Sequence, residues 1–244
     1  MEFNQIIQGD CVEVMKGIPD KSVDMILTDP PYNISQKNKI FRDYRSGKRA
    51  DINFDYGEWD YNFDILPILI ESKRILKEYG QWLIFCAEQQ IGMYRKWLGN
   101  NGHFKQLIIW EKLNPLPQFR KCGYRQATEI IMWAYKNKPK KIEQHFNFLK
   151  QEEMKNIFRF PICGGKERTK HPTQKPLGLI TELLKRHSFK DDIILDPFIG
   201  SGTTAVACKE LGRKYIGIEL SPKYCEIARK RINAIPETLF DITK

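Results

Sequence analysis

The sequence predicts an α/β protein with a mostly parallel β-sheet and helices on both faces. Short apolar runs alternate with segments of helical periodicity along much of the chain, and strands that alternate with helices form crossovers onto a parallel sheet. Two of the apolar runs stop at turn sequences, Asp29-Pro30-Pro31 and the glycine-rich stretch 198–202. Glycine turns between a strand and a helix are typical of the carboxyl edge of such sheets, where ligands bind.

Four apolar runs in the first 135 residues predict buried strands. The run 23–28 ends at Asp29-Pro30-Pro31, and no helix could continue through these prolines. The later runs favour strand structure and span 81–86, 107–110 and 129–135. Before the second run, one face of a predicted helix with Pro67 in its first turn contains Ile65, Ile68, Leu69, Ile75 and Leu76.

The C-terminal third has the clearest alternation of strands and helices. The predicted elements are a helix opened by Pro176 with a buried face at Leu177, Ile180, Leu183 and Leu184, a strand over 192–196, a helix from Thr203 or Thr204 to about Leu211, a strand over 214–220, and a last helix. Ser221 is the expected N-cap of that last helix, and Pro222 is its expected first residue.

Composition limits the classes of protein that the chain can belong to. The 244 residues are long enough to bury a core without disulfides, and 41% hydrophobic residues exclude a disordered chain. The net charge of +10 favours an anionic partner, with nucleic acid first, although a basic surface can also serve solubility alone. With no signal-like N-terminus and no apolar stretch of roughly 18 residues, we expect a cytoplasmic protein. Cysteine and histidine spacings predict no metal site.

Three polar or basic stretches interrupt the alternation of strands and helices. They span 33–58, 113–126 and 136–170, and each is rich in Lys and Arg. Because no linker or internal repeat is evident, we expect one catalytic domain over 1–244 with these stretches as inserted loops. The first of them, 33–58, is predicted to be a mobile loop that faces a nucleic acid.

The glycine turn Asp196-Pro197-Phe198-Ile199-Gly200-Ser201-Gly202-Thr203-Thr204 predicts a cofactor site. Glycines let the backbone come close to a ligand at the carboxyl edge of the sheet. Glu219 ends the next predicted strand, and an acid at that place can accept both hydroxyls of a ribose. The expected ligand therefore contains a nucleoside.

Two nucleoside cofactors compete for this turn. Gly200-x-Gly202-x-x-Ala205 satisfies the dinucleotide fingerprint, but a carboxylate at Asp196 would repel a pyrophosphate. S-Adenosylmethionine has no pyrophosphate, and Asp196 could bind its ammonium or order water beside it. We therefore favour S-adenosylmethionine, with a dinucleotide or a turn without any ligand as the alternatives.

The corner Thr28-Asp29-Pro30-Pro31-Tyr32 suits the methylation of an exocyclic amine on a nucleobase. Its two prolines make the chain rigid, so that the Asp29 carboxylate, the Pro30 carbonyl and the Tyr32 ring keep a fixed arrangement. The two oxygens can each accept an N–H of the amine, and the carboxylate stabilises the cationic nitrogen of the transition state. Tyr32 would stack on a base that has been flipped out of the duplex. The alternative is a rigid turn with a capping Asp.

The order of these motifs resembles the β-group of bacterial and phage amino-methyltransferases that modify DNA. In that group D-P-P-Y comes first and F-x-G-x-G comes late, as Asp29 and Asp196 do here. Lys170-His171-Pro172-Thr173-Gln174-Lys175-Pro176 resembles the family's H-P-T-Q-K-P box, which lies at the methionine end of the cofactor. Gly9-Asp10-Cys11 resembles the step that contacts the adenine of the cofactor.

The resemblance implies a Rossmann-like methyltransferase fold with permuted motif order, built on a seven-stranded sheet with one antiparallel strand. It also implies S-adenosylmethionine as the methyl donor, double-stranded DNA as the substrate and a target-recognition insertion at 136–168. The implied catalytic residues are Asp29, Pro30, Pro31 and Tyr32. The implied cofactor residues are Asp10, Cys11, Asp29, His171, Thr173, Lys175, Asp196, Phe198, Gly200, Ser201, Gly202, Thr203 and Glu219.

Several questions stay open at the level of sequence. D-P-P-Y favours the N6 amine of adenine as the target, with cytosine N4 as the alternative. A dinucleotide-dependent oxidoreductase and a DNA-binding module without turnover are more distant alternatives, and both leave motifs unexplained. Glutamine methyltransferases use N-P-P-Y with the glycine motif first, which does not match. The family often forms homodimers, and the sequence decides neither whether this chain does so nor whether it has a cognate restriction endonuclease or stands alone.

Overall fold

The computed structural model describes residues 2–32, 63–118 and 121–236. The chain divides into two units, 1–30 together with 66–244, and the short unit 31–65. The predicted loop 33–58 lies outside the described residues. All strands of the described sheet lie in the larger unit.

Eight strands of the described residues form one mixed sheet. They are β1 (Gln5–Gln8), β2 (Val23–Thr28), β3 (Leu76–Cys86), β4 (His103–Lys112), β5 (Thr128–Tyr135), β6 (Ile157–Phe160), β7 (Ile193–Asp196) and β8 (Lys214–Glu219). Their order is β1-β8-β7-β2-β3-β5-β4-β6. β5 pairs antiparallel with both of its neighbours, and every other pairing is parallel. The prediction of one antiparallel strand is confirmed.

The described part of the chain has six α-helices, five of which lie between strands while the sixth follows β8. They are α1 (Cys11–Lys16), α2 (Leu66–Ile75), α3 (Ile91–Asn101), α4 (Leu177–His187), α5 (Thr203–Glu210) and α6 (Pro222–Asn233). As predicted, Pro222 is the first residue of α6 and follows its N-cap Ser221. Among the described residues, none of these helices has the length and apolarity that a membrane span requires.

The number of strands differs from the implied seven. The eighth, β6, pairs in parallel with β4 at the end of the sheet. It has four residues in a polar segment, and it forms because β4 offers an unpaired row of backbone groups there. This pairing joins distant parts of the chain, such as Ile109 and Ile157. The local sequence of β6 therefore has no strong strand pattern from which it could be predicted.

The core lies where the apolar runs predicted it, with small shifts at the ends of elements. All six residues of β2 are buried. α4 buries Ile180, Leu183 and Leu184 as expected, but Leu179 is buried and Leu177 is only half-buried. Leu177 is the first residue of the helix, where the chain enters from the surface. β3 begins at Leu76, directly after α2, rather than at residue 81.

The parallel strands end at one edge of the sheet, which is called the carboxyl edge below, and the opposite edge is the amino edge. The segment 136–168 touches both edges. Asn147 donates to the carbonyl of Lys185 at 2.7 Å, and His145 Nδ1 lies 3.0 Å from Asp192 Oδ2, both at the amino edge. After β6 the chain emerges at the carboxyl edge, where the Ile162 amide donates to Asn114 at 2.7 Å. The portion at the carboxyl edge is therefore 161–168.

Candidate active site

Two predicted motifs meet at the carboxyl edge because β2 and β7 are parallel neighbours. Ile26 is paired with Leu195 in this register, so Asp29 and the turn after Asp196 leave the sheet side by side. Thr28 donates a buried hydrogen bond of 2.9 Å to Asp196 Oδ1. The sheet thus brings together two segments that are 168 residues apart in sequence.

The glycine turn has a backbone that requires glycine at two positions. Gly200 and Gly202 have φ of 51° and 83°, a region that side chains disfavour. A Cβ on Gly202 would lie 2.8 Å from the Cβ of Ala228, and one on Gly200 would lie 2.8 Å from Nε2 of His171. The turn is therefore packed closely against α6 on one side and the His171 ring on the other.

Asp196, at the end of β7, holds the two ends of the glycine turn through hydrogen bonds. Its carboxylate accepts hydrogen bonds from Thr28 Oγ1, the Phe198 amide and Thr204 Oγ1 at 2.7 to 3.1 Å. Burial raises the pKa of Asp196 to about 6, and these hydrogen bonds partly offset the rise. These three internal donors therefore use much of the hydrogen-bonding capacity of the Asp196 carboxylate, which is expected from the sequence to bind the ammonium of a cofactor or to order water beside it.

Ser201 and Thr203 continue the turn into α5, and both are buried. Arg231 of α6 donates to the Ser201 carbonyl at 2.8 Å and to Thr203 Oγ1 at 3.0 Å. Thr203 Oγ1 also donates to the Lys175 carbonyl at 3.3 Å. The beginning of α5 is thereby attached both to α6 and to the segment before α4.

Glu219 lies at the end of β8, beside the glycine turn. One carboxylate oxygen accepts the Gly200 amide at 3.1 Å, and the other accepts the Ser221 amide at 2.8 Å. Burial raises the pKa of Glu219, and its hydrogen bonds from backbone amides lower it in part. The carboxylate is therefore held with each oxygen in a set direction, as the predicted ribose acceptor would need.

Asp10 and Cys11 lie next to Glu219 because β1 is paired with β8. Gln8 is opposite Glu219, and the Gly9 amide donates to the Glu219 carbonyl at 3.0 Å. Asp10 caps α1 by accepting the amides of residues 12 and 13 at 2.9 and 3.1 Å. Cys11 is buried, which raises the pKa of its thiol to about 11. Asp10 thus has a structural role as the N-cap of α1. Its predicted contact with the adenine of the cofactor stays a prediction.

His171 closes the site over the glycine turn. Its ring packs edge-on against Tyr224 at a centroid distance of 4.4 Å. Burial lowers the pKa of His171 to about 4, so the imidazole is neutral near pH 7. Its Nδ1 is shielded from solvent and has no hydrogen-bond partner among the described residues. A buried polar atom of this kind is normally satisfied by water or a ligand.

Thr173 and Gln174 of the H-P-T-Q-K-P box differ in their surroundings. Thr173 is half-buried near His171 in the chain. Gln174 is buried and accepts from Thr169 at 2.8 and 2.9 Å while donating to the Glu167 carbonyl at 2.9 Å. Gln174 therefore shapes the box from inside, a role that the sequence analysis did not assign.

Lys175 contacts Asp29, the predicted catalytic residue. Its Nζ lies 2.5 Å from Asp29 Oδ2 and 3.2 Å from Glu129 Oε2. Glu129 is in turn paired with Lys112 at 2.8 Å. Sequence reasoning missed Glu129 and Lys112, since one charged residue at the end of a strand is a common pattern and carries no specific signal.

Pro30 is buried at the end of the larger unit. Pro31 and Tyr32 belong to the short unit, where the first is buried and the second is half-buried. The predicted roles of Pro31 and Tyr32 stay predictions.

The fold and the site together define a DNA methyltransferase. The chain belongs to the DNA methylase family, whose model, of N6 and N4 methyltransferases, matches residues 23–230. This confirms the predicted class and removes the oxidoreductase alternative.

Two curated relatives are type II methyltransferases. The chain is 37% identical to M.HinfI of Haemophilus influenzae over 98% of this chain and 71% of that protein. It is also 37% identical to M2.MboI of Moraxella bovis over 97% of this chain and 90% of that protein.

Solved structures of similar proteins agree on the fold. The complex of M1.HpyAVI with SAM superposes with a TM-score of 0.74 at 34% identity, covering 94% of this chain and 98% of that chain. The cytosine-N4-specific PvuII DNA methyltransferase has a TM-score of 0.71 at 18% identity, covering 95% and 88%. The second match supports the fold alone.

Proposed function

We propose that this DNA methyltransferase transfers the methyl group of S-adenosylmethionine to the exocyclic N6 amine of an adenine flipped out of double-stranded DNA. The observation that carries the proposal is the position of Asp29. Its neighbour Thr28 is hydrogen-bonded to Asp196 at the start of the glycine turn, and Asp29 itself lies 2.5 Å from Nζ of Lys175 in the segment before α4. A carboxylate beside a cofactor turn is what amine methylation requires.

The residues at the carboxyl edge fit S-adenosylmethionine in three respects. Glu219 keeps acceptor capacity on both oxygens beyond its two backbone hydrogen bonds, as a ribose diol needs. The glycine turn lies beside Glu219 at the carboxyl edge, where such sheets bind nucleoside ligands. The buried Nδ1 of His171 has no partner among the described residues and suits a polar group at the methionine end. When bound, this cofactor supplies an electrophilic methyl group.

The Asp29-Pro30 step holds the target amine and stabilises its charge. The amine of adenine is a weak nucleophile because its lone pair is delocalised into the ring. Asp29 and the Pro30 carbonyl accept its two N–H groups, which favours tetrahedral geometry and makes the lone pair available. As the nitrogen becomes cationic, the negative charge of Asp29 stabilises it, and the buried surroundings strengthen this interaction. Tyr32 stacks on the base and orients it.

The residues that face DNA in this proposal are those at the carboxyl edge. Lys166, Arg168 and Lys170 are exposed there, whereas the exposed Lys138 and Lys140 follow β5 at the amino edge. The predicted insertion 136–168 is therefore proposed to act through 161–168, with phosphate contacts that supply affinity. A homodimer, a cognate restriction endonuclease and a cytoplasmic location remain parts of this proposal, the last because the substrate is DNA.

Transfer of a labelled methyl group tests the proposal. The purified chain is incubated with duplex DNA and methyl-labelled S-adenosylmethionine, and the nucleosides are separated after digestion. We expect label in N6-methyladenine for the native chain and none for Asp29→Ala, which should still be folded. Label in N4-methylcytosine instead would show that the target base is cytosine and not adenine. Full activity of Asp29→Ala would overturn the mechanism.

A further inference from the structure

We propose that Glu129 is a positioning residue for methyl transfer: it offsets the ammonium of Lys175, so that the carboxylate of Asp29 can still stabilise a cationic target amine. The inference rests on the proposed function, because it concerns the charge at the same site. Glu129 belongs to none of the sequence motifs. It reaches the site because it is the second residue of β5, the antiparallel strand that begins at the carboxyl edge.

The geometry places two carboxylates on one ammonium. Lys175 Nζ is 2.5 Å from Asp29 Oδ2 and 3.2 Å from Glu129 Oε2. The Lys175 side chain is 11% exposed, and Oε2 of Glu129 is shielded from solvent. Nζ of Lys175 also lies 5.0 Å from the centre of the Phe85 ring. The three charges thus interact in surroundings of low polarity, where Coulomb energies are large.

Lys175 and Glu129 are both charged near neutral pH. Burial lowers the pKa of Lys175, but the charges of Asp29 and Glu129 outweigh this and raise it above the ordinary value. Burial raises the pKa of Glu129, but the charges of Lys175 and Lys112 outweigh this and lower it. Lys175 is therefore an ammonium, and Glu129 is a carboxylate.

This arrangement resolves a conflict in the charge of the site. The Lys175 ammonium orients the Asp29 carboxylate, but by itself it would neutralise it and would repel a nitrogen that becomes positive. With Glu129 the group of three has a net charge of −1, which is the charge that Asp29 alone would provide. The site thereby keeps both a fixed carboxylate and its electrostatic effect on the transition state.

Lys112 holds Glu129 in place. Its Nζ is 2.8 Å from Glu129 Oε1, and its side chain is 14% exposed. Since Lys112 binds the oxygen that faces away from Lys175, Glu129 is anchored on both sides. The described contacts link Lys112 to Asp29 through Glu129 and Lys175, so its charge acts on the target more weakly than that of Lys175.

A double-mutant cycle tests the proposal. Glu129→Gln and Lys175→Met are made singly and together, and single-turnover methyl transfer is measured with saturating cofactor and DNA. We expect Glu129→Gln to lower the rate by at least about tenfold in the native background. In the Lys175→Met background the same change should alter the rate by less than about threefold, because the ammonium that contacts Asp29 is gone and the remaining one, on Lys112, acts on the target more weakly. The KM for cofactor should change little, since Glu129 does not touch it.

Several outcomes would overturn the inference. They are a native rate in Glu129→Gln, an equal loss in both backgrounds, and no measurable transfer by Lys175→Met, which would give Lys175 a direct role. Glu182→Gln is the matched control, because Glu182 forms its ion pairs on the outside of α4 with Lys185 and Arg186. Failure of the proposed function is recognised separately, by the absence of transfer from the native chain or by an active Asp29→Ala.

Discussion

Thr28 and Asp196 are joined by a buried hydrogen bond of 2.9 Å between Oγ1 and Oδ1. One residue ends the strand before Asp29, and the other ends the strand before the glycine turn. The two motifs that the sequence singled out therefore share an anchor inside the sheet. Loss of this contact is therefore expected to affect both motifs.

The shared anchor can be tested with Thr28→Val, which keeps the shape of the side chain and removes its hydroxyl. Asp196 then loses one of three donors in a buried position, so we expect a loss of about 1–3 kcal/mol in the free energy of unfolding. Cofactor affinity should fall as well. Urea denaturation and calorimetric titration measure the two effects. Thr28→Ser is the control and should keep both near native values, and an equally large loss in it would assign the effect to the methyl group.

A second prediction concerns the two glycines with contrasting surroundings. Gly202→Ala would place a Cβ 2.8 Å from that of Ala228 at a φ of 83°, so we expect destabilisation by more than about 1 kcal/mol and weaker cofactor binding. Gly92→Ala in α3 meets nothing within 4 Å and should be neutral or stabilising by about 1 kcal/mol. Thermal denaturation compares the two. Equal melting temperatures would contradict the packing described for α6.

His171 is expected to bind the cofactor through its unpartnered nitrogen. His171→Phe keeps an aromatic ring against Tyr224 but removes both nitrogens. We expect the dissociation constant for S-adenosylmethionine to rise about tenfold, equivalent to one lost hydrogen bond, with little change in melting temperature. Calorimetric titration at pH 7.5 provides the measurement. Native affinity in this variant would show that the buried Nδ1 serves water rather than the ligand.

Acid sensitivity is expected from His187, which is 2% exposed. Burial lowers its pKa from 6.5 to about 3, so the unfolded chain binds a proton that the native chain does not. Stability is therefore lost as the pH falls below 6.5, by about 2 kcal/mol for this group between pH 6.5 and pH 5. His187→Gln should have a shallower decline in the free energy of unfolding over this range. His103→Gln, at a half-buried position, is the control and should change the slope less. An unchanged slope in His187→Gln would contradict the prediction.

Salt dependence distinguishes the two edges of the sheet. Replacing Lys166, Arg168 and Lys170 by Gln should weaken DNA binding and reduce the slope of log K against log salt by nearly one for each lost phosphate contact. The matched set Lys138, Lys140 and Lys141 has the same charge and is also exposed, but it follows β5 at the amino edge. Fluorescence anisotropy between low and moderate salt measures both sets. A larger change from the amino-edge set would reverse the proposed orientation of DNA.

Local patterns in the sequence were sufficient for most of the fold. Apolar runs and helical faces predicted six of the eight described strands and four of the six described α-helices, with ends that differ by at most about five residues, because burial acts on each segment at its own period. The cofactor turn and the Asp29 corner could likewise be predicted, since tight turns need glycine for its unusual φ angles and rigid corners need proline for its fixed φ, and both residues are visible in the local sequence. The sequence by itself thus determined the fold class, the family and the two motifs.

Tertiary structure alone decided how these motifs are supported. The pairing of Glu129 with Lys175, the hydrogen bond from Thr28 to Asp196 and the strand β6 all join residues that are distant in the chain. The division of 136–168 between two edges of the sheet follows in the same way from the direction of β5 and β6. Such contacts depend on strand order and on burial of charge, which a local pattern of residues does not contain.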